Sequence, residues 1–74
     1  MAGRILVVDG VPTNRITMKV RLTSACYEVS AAGSGAEALR TAALAHPQIV
    51  LIGASLPDMT GAELCAALRA APGG

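Results

Sequence analysis

Aromatic side chains are nearly absent from this 74-residue chain: Tyr27 stands alone, with no Phe and no Trp. A core without bulky anchors buries little per residue, and a chain this short buries only about 60% of the surface it exposes when unfolded. An excess of one charge is also missing. A net charge of +1 and a pI near 7.8 exclude bulk electrostatic attraction to nucleic acid or to an anionic membrane. Cysteine is scarce, and Cys26 and Cys65 stand too far apart to read as a disulfide scaffold, which points to reduced thiols in the cytoplasm. The only histidine, His46, precedes Pro47 and reads as a helix-end residue rather than a metal ligand or catalytic base. Long apolar runs are absent as well. "ILVV" at 5–8 follows Arg4 and stops at Asp9, too short for a signal peptide or a membrane span. What remains is a sequence 53% hydrophobic in mostly small side chains, for which a partner chain is a natural source of extra cover.

The apolar residues alternate between two periods. "RILVVD" (4–9) is a continuous apolar run closed by an acid, the pattern of a buried parallel strand. Pro12 then suits the first turn of a helix over 12–25. That helix pairs Ile16 with Val20 on one side and Met18 with Leu22 nearly opposite, so it calls for two neighbours, of which a sheet can be only one. "YEVSAA" (27–32) reads as an edge strand, and Ser34 with Glu37 as a capping box opening a helix over 35–45 that stops at "HP". "QIVLIG" (48–53) is a third strand. Thr60 and Glu63 form a second capping box, opening a last helix that runs to "PGG". Strand, helix, strand, helix, strand, helix predicts a single parallel α/β unit with Asp9 and Gly53 gathered at the carboxyl edge of the sheet, where such folds place ligands.

Two further patterns carry weak signals. "GSGAEA" (33–38) matches a dinucleotide fingerprint in form, but it follows the second strand and the next strand ends at Gly53 with no acid for a ribose. It reads as a strand-to-helix turn. Arg15, Lys19 and Arg21 give the first helix three positive charges and no acid, either a solvated face or a docking face for an acidic partner.

"ILVVDG" with Asn14, "YEVSAAGSGAEAL" and "PQIVLIGASLPDMTG" together resemble response-regulator receiver domains of the CheY-like, flavodoxin-like kind, and within them the first receiver of PleD-type diguanylate cyclases. The resemblance covers nearly the whole chain and implies three parallel strands in the order 2-1-3 with three helices. The family's fourth and fifth strands and helices have no counterpart, so residues 1–74 are expected to form one truncated receiver. Receivers hold Mg²⁺ with two acids after the first strand and accept phosphate on an aspartate ending the third. A hard cation needs oxygen ligands, and it stabilises the charge of phosphoryl transfer. Asp9 matches the first acid, Gly10 stands in place of the second, and Gly53 stands in place of the phosphoacceptor. Neither Asp58, inside the following loop, nor Glu63, a cap, replaces them.

The resemblance therefore implies a pseudo-receiver without enzymatic activity, phosphoacceptor or bound Mg²⁺, with Asp9 a vestigial metal residue. Its expected partners are a second copy and other two-component signalling proteins, not nucleic acid or membrane. The expected interface residues are Met18 and Leu22 on the first helix, or Ile49, Val50 and Leu51 on the third strand, whose apolar edge would otherwise be open. The alternative expectation is the opening segment of a longer response regulator, such as a PleD-type diguanylate cyclase.

Overall fold

A computed structural model describes residues 2–53 and 56–70. Six elements alternate along them: β1 (Gly3–Val8), α1 (Pro12–Ser24), β2 (Tyr27–Ala32), α2 (Gly35–Ala45), β3 (Ile49–Ile52) and α3 (Gly61–Ala70). The strands form one parallel sheet in the order β2-β1-β3. Expected bounds and observed bounds agree to within a residue or so. The ladder continues past the formal strand ends, with Asp9 N–H donating to Ala32 O (3.1 Å) and Gly53 N–H to Val8 O (2.7 Å). The end expected for the last helix, at "PGG", lies outside the described residues.

β1 is the central strand, and its residues Ile5, Leu6, Val7 and Val8 are all buried. Strand alternation divides them between two faces. Leu6 and Val8 join Ala32, Ala38 and Leu64 in the buried cluster beneath α2 and α3, with Val50, Ile52, Leu56 and Met59 packed around it. Ala38 is fully buried, so a small side chain lets α2 approach the sheet closely where an aromatic would hold it off. Ile5 and Val7 take the opposite face, where α1 lies over β2 and β1.

Cover on that second face is thin, and no residue of α1 is fully buried. Of its two apolar stripes, Met18 and Leu22 are half-buried, whereas Ile16 and Val20 are 64% and 60% exposed. The outward stripe is thus Ile16–Val20 and not the Met18–Leu22 pair expected there. Helical spacing defines two stripes but does not say which one the sheet covers. On β3, Ile49 is exposed, while Val50 and Leu51 are half-buried and Val50 packs against the core. Among the described residues, the outer edge of β3 has no partner strand.

The core and the surface should answer differently to truncation. Leu64→Ala removes a fully buried side chain and is expected to lower stability by about 2–5 kcal/mol. Leu44→Ala, at a position 85% exposed, is expected to change it by less than about 0.5 kcal/mol. Urea titration of both variants checks this through the midpoint, at constant slope.

Candidate functional site

The strands deliver three loops to one edge of the sheet. β1 ends at Val8 and presents Asp9 and Gly10; β2 ends at Ala32 and presents Gly33 and Ser34; β3 ends at Ile52 and presents Gly53. Asp9 and Gly53 meet there as the topology requires, since Val8 and Ile52 are register partners.

Asp9 does not project into an open cleft. Its Oδ1 accepts from the Val11 backbone N–H (2.9 Å) and its Oδ2 from Asn14 Nδ2 (3.2 Å), so the carboxylate braces the entry to α1. Val11 is the N-cap of that helix and supplies no side-chain cap of its own. The Asp9 main-chain O accepts from Arg15 Nη1 at 2.7 Å. The Arg15 guanidinium reaches across the edge, and a Cβ at Gly33 would lie 2.9 Å from Nη1. The carboxylate itself lies directly over Gly53, where a Cβ would fall 2.6 Å from Asp9 Cγ.

The remaining acids at this edge also serve backbone donors. Ser34 Oγ accepts from Glu37 N–H (3.1 Å), and Glu37 Oε1 accepts from Gly33 N–H, one residue earlier than a simple capping box would have it. Thr60 and Glu63 make the reciprocal pair, with Glu63 N–H on Thr60 Oγ1 (3.0 Å) and Thr60 N–H on Glu63 Oε1 (2.9 Å). Asp58 has a role that its place in the sequence does not reveal. Its two oxygens accept from Gly35 N–H (2.8 Å) and Ala36 N–H (3.0 Å), capping α2 from a loop more than twenty residues away. Gly35 has no Cβ to obstruct Met59, whose side chain lies against it. The bonds from Gly35 and then Ala36 hold the Asp58 carboxyl below its ordinary value, and the Thr60 backbone bond does the same for Glu63.

Mg²⁺ requires several hard oxygen donors in near-octahedral array. Beside Gly53 lies one carboxylate, that of Asp9, with glycine at 10 and 53 where further oxygen donors would be needed, while Glu37, Asp58 and Glu63 are bonded to the starts of α2 and α3. No group of three or more His, Cys, Asp or Glu residues comes together among the described residues. The donor set does not fit the ion.

Residues 5–73 match the response regulator receiver domain. The chain belongs to that family. As a receiver it is 40% identical over 72 residues to the response regulator PleD of Caulobacter vibrioides, covering 97% of this chain and 16% of PleD. It is 38% identical over 65 residues to the transcriptional regulatory protein KdpE of Mycobacterium tuberculosis, covering 88% of this chain and 29% of that protein. Among solved structures, the chemotaxis response regulator CheY4 of Vibrio cholerae superposes with a TM-score of 0.89 at 33% identity, over 95% of this chain and 58% of CheY4. This receiver thus spans a small part of the curated relatives and a little over half of the structural one. The three-stranded, three-helix sheet is the corresponding portion of the CheY-like fold. Among the described residues, no helix is long and apolar enough to cross a membrane.

The caps set a pH dependence. Because the Asp58 pKa is lower folded than unfolded (3.8), its contribution is fully present above about pH 4 and is lost as pH falls through the folded value. Asp58→Asn should therefore lower the melting temperature at neutral pH, and the gap to the parent should close on acidification below pH 4. Melting curves recorded by circular dichroism from pH 7 to pH 2 check this. Ser34→Ala, which removes a neutral cap, should cost about 1 kcal/mol at every pH.

Proposed function

We propose that this receiver acts in two-component signalling as a non-phosphorylatable interaction module without enzymatic activity of its own. The observation that carries the reading is the end of β3. Gly53 supplies no nucleophile there, and the one carboxylate nearby is engaged by Val11 and Asn14. An acyl phosphate at the end of β3 needs a carboxylate at residue 53 and a cation to balance the charge of transfer; residue 53 is glycine, and the single carboxylate of Asp9 is a poor seat for the cation. Receivers bind other two-component proteins, so surfaces remain as the means of action, and the cytoplasm is the compartment of that pathway.

The partner we infer is a second copy. Among the described residues, the outer edge of β3 has no strand beside it, and "IVLI" carries no charge to guard it. The exposed Ile16–Val20 stripe is the rival surface. A symmetric contact there would bring Lys19, beside Ile16 and Val20, close to its own copy, which favours the neutral strand edge. A second reading fits the same open edge. The residues could form the first part of a longer response regulator, including one of the PleD kind, whose own later strand covers β3.

Incubation with Mg²⁺ and acetyl phosphate, followed by intact mass measurement, is expected to leave the mass unchanged. A gain of one phosphoryl group on any residue would contradict the reading. Light scattering over a wide concentration range is expected to give a dimer, abolished by Ile49→Lys and retained in Ile16→Lys. A monomer at every concentration would rule out the second copy and favour the longer regulator.

A further inference from the structure

The backbone at residue 53 does not itself call for glycine. Among the described glycines only Gly3 has a φ in the left-handed region, so any L-residue could adopt the main-chain conformation of Gly53. What excludes a side chain is its neighbour. A Cβ at 53 would lie 2.6 Å from Asp9 Cγ and 3.1 Å from Asp9 Cβ, well inside van der Waals contact.

We propose that Asp9 and Gly53 form one coupled latch, in which the missing side chain at 53 lets the Asp9 carboxylate fill the end of the cleft and pin the β1–α1 loop. The carboxylate is not a loose end that could swing aside without loss. Moving it breaks the bonds from Val11 N–H and Asn14 Nδ2, which hold the first turn of α1. Arg15, on that same turn, bonds the Asp9 carbonyl and lies against Gly33, so the loops after β1 and β2 are held together. A side chain at 53 and an anchored carboxylate at 9 therefore exclude each other. The loop keeps one arrangement through groups of its own, with no ligand required. This inference goes beyond the absence of phosphate chemistry and would stand even if a phosphoryl group were found elsewhere on the chain.

A double-mutant cycle tests the latch. Gly53→Ala in the parent is expected to shift the unfolding equilibrium toward the unfolded state by about tenfold or more, as overpacking does. In an Asp9→Ala background most of that penalty should vanish, and restriction of the unfolded chain should make the substitution neutral or mildly stabilising. In an Asp9→Asn background, which keeps the shape and removes the charge, the penalty should persist. Amide exchange at Val11 should speed up in Gly53→Ala, reporting release of its hydrogen bond. If Gly53→Ala alone fails to fold, the inference requires that adding Asp9→Ala restores folding. Equal effects of Gly53→Ala in all three backgrounds, or failure of that rescue, would overturn it.

Discussion

The structure depends on the burial of β1 between two parallel neighbours. With Ile5, Leu6, Val7 and Val8 at 4%, 0%, 3% and 0% exposure, it is the only strand among the described residues that is paired along both edges. A chain with one aromatic residue has little other apolar bulk to organise around, so four consecutive aliphatic residues in the middle of the sheet carry the fold. Fixing β1 fixes the rest. Its register with β3 brings Asp9 beside Gly53, its register with β2 places Gly33 and Ser34 at the same edge, and small residues such as Ala38 let α2 settle onto it.

At that edge the chain uses its acids for the backbone. Of five acidic residues, Asp9, Glu37, Asp58 and Glu63 each accept from main-chain N–H groups, at the entries of α1, α2 and α3. Helix starts carry orphan donors and the positive end of a dipole, so carboxylates placed there stabilise short helices with thin hydrophobic cover. On the proposed reading, this commitment is their role. In this receiver the carboxylates at the sheet edge hold loops and caps in place.

Much of this was legible from residue order. Apolar runs and spacing located β1, α1 and β3, polar alternation located β2, and the Ser34–Glu37 and Thr60–Glu63 spacings marked the starts of α2 and α3 because capping is a local interaction. That glycine stands at 53, where the resemblance implies an acceptor aspartate, could be read from residue order. Three features could not be read. Asp58 caps a helix more than twenty residues earlier, a contact that no local spacing encodes. The outward stripe of α1 proved to be Ile16–Val20 because the helix lies chiefly over β2 and β1, an orientation that helical periodicity leaves open. The contact of Asp9 with the space above Gly53 depends on a volume between two strand ends, and a sequence gives no volumes. A weak signal for it did exist in the paired glycines at 10 and 53 beside a retained aspartate.

On the proposed reading, this edge holds one arrangement without phosphate. That claim is tested most directly by amide NMR spectra of the ¹⁵N-labelled chain, recorded before and after adding Mg²⁺ and then beryllofluoride, a mimic of an acyl phosphate. The expected result is that the resonances of Asp9, Val11, Gly33 and Gly53 stay where they are through both additions. Saturable movement of those resonances with beryllofluoride would show that the cleft still receives a phosphoryl-like group and that the edge is not fixed.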